Sequence, residues 1–383
     1  MRGLIRACIA LTVLVLLGCQ QQNRQPPLGQ HSFAQYQQQT RSWVASHRTF
    51  QTLDKPGELQ WNTPQEWLPA GKPSRGILLI HGLGDAPGSF TDIAPELAKQ
   101  GFLVRTVLLP GHGTRPMDML NVSVEQWRQV VSEQAAIMAK DVGEVWLGGF
   151  STGGNLALEY AMQHPQAQGL LLFSPAIKSN TGYDFLAPVA AVFRDWLRPP
   201  SAVFPQQIAT RYLRVPTNGF AQFYRTSASA QQLIAHGTFN KPVLMVLSEH
   251  DSVLDTAWIL DHFDSTFTHP ASRVIWYGAP RAEVANVSRL RVKPDFLPEE
   301  RISQFSHMSV LFSPRNPLYG RQGSVLLCAN GQPDEDTQRC LKGEEVWYSD
   351  WGLVEKDKVH ARLTWNPWFE WQSGVMKEVI SGS

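Results

Sequence analysis

The chain has 383 residues and a net charge of +1, with 34 basic residues against 33 acidic ones. That balance excludes the charge footprint of a nucleic-acid-binding protein and gives no electrostatic hold on an acidic partner. A hydrophobic content of 43%, only 17% charged residues and 13 tryptophans exclude a disordered chain and suffice for one large α/β domain or two smaller ones.

In chain order, Arg2 and Arg6 precede an apolar run over 7–17 that closes on Gly18 and Cys19. A charged start, an apolar stretch too short to cross a bilayer and a small residue at its end predict a signal peptide over 1–18. Leu16-Leu17-Gly18-Cys19 resembles a bacterial lipobox, which implies that Cys19 becomes the first mature residue and carries a lipid. Gln20 rather than Asp implies, by analogy with Gram-negative lipoproteins, an outer-membrane destination facing the periplasm. Residues 20–39 are rich in Gln and hold Pro26-Pro27, which predicts a flexible tether over 19–45 before a main domain over 46–383. Of the remaining cysteines, Cys328 and Cys340 form an even pair in a chain bound for an oxidising compartment. They bracket a polar stretch with Gly331, Pro333 and three acidic residues, so a disulfide closing a surface loop is expected. No CxxC and no neighbouring His supports a metal there.

Residues 33–67 scatter Trp43, Trp61 and Trp67 among polar residues and predict an approach segment with short strands. The apolar run 77–80 ends in His81-Gly82-Leu83-Gly84. A helical pattern over 89–100 stops at Gly101, and a second strand over 102–109 ends in Pro110-Gly111-His112-Gly113. Val124, Trp127, Val131, Ala135 and Met138 share one face of a helix over 123–140. A third strand, 144–150, runs into Gly149-Phe150-Ser151-Thr152-Gly153 and a helix to about 163; a fourth covers 169–173. Uninterrupted apolar strands alternating with helices indicate a mostly parallel sheet covered on both faces, with the site at the C-terminal ends of the strands. The alternation breaks over 176–240, an aromatic-rich stretch with Pro199, Pro200 and Pro205 that predicts an inserted helical cap. It resumes with strands at 242–247 and 273–277 and a helix near 255–263. A second insertion, 280–305, precedes Ser306-His307-Met308-Ser309. An extension over 312–383 follows, whose Trp347, Trp351, Trp365, Trp368 and Trp371 predict a hairpin or helix packed on the core.

Gly-x-Ser-x-Gly between a strand and a helix marks a sharp turn that lifts a serine clear of the sheet, in front of unpaired helix amides. A serine hydroxyl needs a base to take its proton, and an imidazole needs a carboxylate to hold its tautomer. Asp251 follows the strand 242–247. Asp255 fits a helix cap better, and Glu249 is the third candidate. Among the histidines, His81 and His112 lie in glycine loops where they brace turns. His250 is too close to the acid, His262 falls in a helix and His269 precedes the last core strand, so His307 remains. The amides of Thr152 and Leu83 are the candidate oxyanion donors.

His-Gly-Leu-Gly, Leu-Pro-Gly-His-Gly, Gly-Phe-Ser-Thr-Gly-Gly, the Asp251 loop and Ser-His-Met together resemble the α/β-hydrolase superfamily, in its carboxylesterase, monoacylglycerol lipase and lysophospholipase branch. The likeness covers about 75–311. It departs from that branch in Ser248 where Gly is usual, in the insertion before His307 and in the extension. It implies a membrane-tethered serine hydrolase of carboxylic esters, acting through Ser151, His307 and Asp251 without cofactor or metal on a small-molecule or lipid ester with an apolar acyl group. An aminopeptidase-like enzyme is the alternative within the fold, but the cap offers only Asp184 and Asp195 to hold an amine. A non-catalytic envelope lipoprotein is the alternative outside it.

Overall fold

A computed structural model of the chain describes residues 25–200, 205–280 and 287–382. The expected leader over 1–18 and Cys19, the expected site of the lipid, lie outside them. No helix among the described residues is long and apolar enough to cross a membrane.

Two helices, α1 (Phe33–His47) and α2 (Lys55–Trp61), lead into β1 (Glu66–Trp67) and β2 (Arg75–Ile80). There follow α3 (Ile93–Lys99), β3 (Phe102–Val107), α4 (Val124–Asp141), β4 (Glu144–Phe150), α5 (Thr152–Gln163) and β5 (Ala167–Phe173). The cap supplies α6 (Ala187–Phe193) and α7 (Thr217–His236). The chain then returns through β6 (Val243–Ser248), α8 (Thr256–Thr266), β7 (Arg273–Tyr277) and β8 (Leu290–Lys293). The extension adds α9 (Asp334–Leu341), β9 (Trp347–Ser349), β10 (His360–Arg362) and α10 (Phe369–Ser381).

The main sheet runs β1-β3-β2-β4-β5-β6-β7-β8, and every pair is parallel except β1 with β3. Successive side chains of a strand point to opposite faces. Leu78, Ile80, Leu147, Leu172 and Met245 accordingly enter one core with α4, α5 and α8. Ile77, Leu79, Trp146, Leu171 and Val246 enter another with α3 and α10. Both faces are apolar because both are covered, as the unbroken hydrophobic runs predict. In the cap, α7 packs on α5, whereas α6 buries none of its side chains.

Two expectations change. The tether does not extend to residue 45. Ser32 caps α1 by accepting from the Gln35 amide, and Phe33, Tyr36, Thr40 and Val44 are buried along one face. The Tyr36 hydroxyl donates to the Leu108 carbonyl at 3.3 Å and accepts from the Leu108 amide at 3.0 Å. The short strands expected over 33–67 are thus mainly two helices. The second insertion contributes β8, a parallel edge strand beside β7, so it extends the sheet. In the extension the expected helix is α10, which packs Phe369, Val375, Met376, Val379 and Ile380 on the core, while β9 and β10 pair in parallel rather than as a hairpin.

The Cys328–Cys340 disulfide is present, with an S–S distance of 2.04 Å, and the loop it closes contains most of α9. The extension's tryptophans meet the protein's own cations. Lys293 lies 4.6 and 5.3 Å from the Trp368 and Trp371 ring centroids, and Lys358 lies 3.5 Å from that of Trp347.

Replacing Tyr36 with Phe leaves two buried backbone groups of Leu108 without this partner. The expected cost is about 1–3 kcal/mol, read as a lower urea midpoint. An unchanged midpoint would mean that this segment does not stabilise the domain.

Candidate active site

The turn after β4 places Ser151 at φ 55° and ψ −121°, a conformation that costs a non-glycine residue about 1–3 kcal/mol. The surroundings leave it no alternative. A Cβ on Gly149 would lie 2.3 Å from the Gly153 backbone, and one on Gly153 would lie 2.0 Å from the Ile80 carbonyl oxygen. The Ser151 amide donates to Phe173 at 3.1 Å, and its carbonyl accepts from the amides of Gly154, Asn155 and Ala176. Strand, turn and helix thereby hold the serine rigidly.

The Ser151 Oγ lies 2.9 Å from His307 Nε2, and His307 Nδ1 lies 2.7 Å from Asp251 Oδ2. The second Asp251 oxygen accepts from the amides of Val253 and Leu254 at 2.9 and 3.2 Å. With the Asp251 side chain fully buried, these bonds fix which oxygen faces the imidazole. The three side chains singled out in the sequence therefore form one hydrogen-bonded chain, despite the insertion before His307. The rival acids have other partners: Asp255 caps α8 and pairs with Lys178 at 2.8 Å, while Glu249 accepts from the Ala279 amide. His250 points to Asp295, whose hydrogen bond raises its pKa above the ordinary value.

The amides of Leu83 and Thr152 donate to no other group among the described residues. Thr152 opens α5, where helix amides have no intrahelical acceptor. The Leu83 loop abuts the serine, since a Cβ on Gly82 would lie 3.1 Å from Ser151 Cβ. Two histidines hold that loop. His81 Nε2 accepts from the Leu109 amide at 3.1 Å, and its Nδ1–H donates to the Gly82 carbonyl at 2.8 Å. His112 Nε2 accepts from the Gly84 amide at 3.0 Å, and its Nδ1–H donates to the carbonyls of Leu109 and Pro110. Only neutral imidazoles can accept in this way. Burial holds His112 down to about 4 and keeps His81 well below its ordinary range, with the charge of His112 adding to the effect on His81.

From the cap, Tyr212 donates its amide to the Gly84 carbonyl at 2.7 Å. The neighbouring Arg211 guanidinium donates to the Met308 Sδ at 3.0 Å, beside His307, and forms no ion pair among the described residues. Burial pushes the Asp85 carboxyl up, against the opposing pull of Arg211.

One residue at the site has no sequence signal. Asp350, one of several acids in the extension and part of no motif, accepts hydrogen bonds from the amides of Ser252 and His307.

Residues 71–266, slightly more than half of the chain, match the hydrolase family described as serine aminopeptidase S33. The chain is 32% identical over 102 residues to the thermostable monoacylglycerol lipase of Bacillus sp. (strain H-257), a match covering 27% of this chain and 41% of that one. It is 30% identical over 118 residues to the monoglyceride lipase of Rattus norvegicus, covering 30% and 39%. It thus spans about two fifths of the length of these two relatives. A soluble variant of monoglyceride lipase from Saccharomyces cerevisiae is similar in structure at 17% identity and a TM-score of 0.46, over 60% of this chain and 85% of that one.

The pinned histidines generate a pH dependence. Unfolded, each takes up a proton near pH 6.5; folded, each resists doing so. Their contribution to stability is therefore complete above pH 6.5 and lost as the pH falls. For His112 the loss runs from 6.5 to about 4 and is on the order of 3 kcal/mol. Denaturant unfolding across that range should show stability falling, with a shallower slope in His112→Gln. An equal slope in the variant would remove His112 as a source.

Proposed function

The chain belongs to the serine aminopeptidase S33 family of hydrolases, and from that premise we propose that it is a membrane-tethered serine esterase. The observation that carries this reading is the unbroken hydrogen-bonded chain from Ser151 through His307 to Asp251. Ser151 Oγ attacks the ester carbonyl while His307 Nε2 takes its proton. Asp251 holds the Nδ1–H tautomer and stabilises the imidazolium that forms. The carbonyl oxygen becomes an oxyanion facing the Leu83 and Thr152 amides, each worth about 2.7–4 kcal/mol in the transition state. Collapse expels the alcohol, which receives the proton from His307. Water then attacks the acyl-enzyme, with His307 as base, and releases the acid and Ser151.

An apolar acyl group is favoured by the cap. Tyr183, Phe185, Val189, Val192 and Phe193 are all more than half exposed, a concentration of apolar surface that suits a lipid substrate. The relatives named monoacylglycerol or monoglyceride lipase support the same reading. The family description raises the aminopeptidase alternative. A free amino terminus is poorly served here, because the cap's only acids are Asp184 and Asp195, and Arg211 brings a guanidinium to Met308, the residue after His307, where it repels an ammonium group. The proposal includes anchoring at Cys19 in the bacterial cell envelope, at the outer membrane facing the periplasm, with 1–18 removed as the leader.

A fluorophosphonate probe should label the protein at Ser151 and leave Ser151→Ala unlabelled. His307→Ala should lower ester turnover by roughly four orders of magnitude or more. Labelling that persists without Ser151 would sink the assignment, and near-normal turnover in His307→Ala would place the base elsewhere.

A further inference from the structure

The extension beyond His307 lies outside the stretch that matches the family, yet it reaches the loops that carry the acid and the base. Asp350 follows β9 directly and is buried. One of its oxygens accepts from the amide of Ser252, the residue after Asp251. The other accepts from the amide of His307 at 3.4 Å. A single carboxylate therefore bridges two loops whose acid and base are 56 positions apart in sequence.

The groups facing Asp350 are Asp251 and His250 from the acid loop, His307 from its own segment, and Arg362 from β10. Burial pushes the Asp350 carboxyl up and the Asp251 charge adds to this, while the Ser252 side chain, the Trp351 amide and Arg362 oppose it. Arg362 is itself held by the Asn330 side chain at 2.9 Å and lies over the Trp351 ring. Further contacts hold the extension against the His307 segment. Ser303 donates its amide to the Tyr348 carbonyl at 2.8 Å, Ser306 Oγ donates to the Leu363 carbonyl at 2.6 Å, and Phe312 bridges to Trp365. Asp350 is thus presented from a fixed frame, and amide bonds to a carboxylate are stronger than bonds to a neutral acceptor.

We propose that Asp350 is a positioning residue: by binding both amides it sets the spacing between Asp251 and His307, which makes the C-terminal extension part of the catalytic apparatus. The proposal rests on the serine-esterase reading for its link to catalysis.

Asp350→Asn tests it with two readouts, steady-state hydrolysis of a soluble ester and NMR of the proton between His307 Nδ1 and Asp251. The variant should lose roughly 10- to 100-fold in kcat, the scale of a small misplacement of catalytic groups, with KM within about twofold of wild type. The bridging proton should exchange with solvent at least about tenfold faster, as expected where local opening becomes easier. Wild-type kcat and exchange in a folded variant would overturn the proposal, as would a change confined to melting temperature. Should Asp350→Asn not fold, Asp350→Glu is read on the same two measurements. It keeps the charge at a longer reach, so a several-fold lower kcat with faster exchange supports positioning, and wild-type values overturn it. A wild-type protein that turns over no ester defeats the esterase reading, while the exchange measurement still decides whether Asp350 sets the spacing.

Discussion

A Cβ on Gly153 would lie 2.0 Å from the Ile80 carbonyl oxygen, and the site depends on that close approach. Ile80 ends β2 and Gly153 lies in the first turn of α5. The same backbone contact therefore sets the helix bearing the Thr152 amide against the strand that leads to the Leu83 amide. The strained backbone of Ser151 is one consequence, and the short gap between the Gly82 loop and the serine is the other. His81 and His112 keep that gap from relaxing by holding the Leu83 loop to the loop after β3. They can do so only while they remain neutral, which ties the geometry to burial as well as to sterics.

Asp251 and His307 come from a different part of the chain. Asp251 sits on the short loop after β6, where the Val253 and Leu254 amides take up its second oxygen. His307 sits on a segment with no helix or strand of its own. It is fixed instead by what lies against it: β9, Leu363 and Trp365 from the extension, and Asp350 across its amide. The long insertion before His307 and the long extension after it are thus related features. The insertion lengthens the chain leading to His307, adds β8 to the sheet, and gives Trp368 and Trp371 a cation to cover in Lys293. The extension packs the resulting segment into place.

The sequence makes the core of this arrangement legible, because its signals are local and repeated. Continuous apolar strands, glycines at fixed offsets around Ser151 and the order serine, acid, histidine all survive without tertiary information. The fold and the geometric trio Ser151, Asp251 and His307 follow from them. What was not legible depends on distant partners. In α1 the buried face is Phe33, Tyr36, Thr40 and Val44, but glutamines between them give the composition of a solvated linker. In β8 only Leu290 and Val292 alternate, with Arg291 and Lys293 between and after them, too short a run to distinguish from a loop. Asp350 belongs to no motif, and only the folded extension brings it beside His307.

The most direct test of the account is a crystal structure of the protein inhibited by an alkyl phosphonate. The account predicts a covalent bond to Ser151 Oγ and a phosphonyl oxygen about 2.7–3.1 Å from both the Leu83 and Thr152 nitrogens, with His307 still bonded to Asp251. An adduct on another residue, or a phosphonyl oxygen turned away from those two amides, would contradict it.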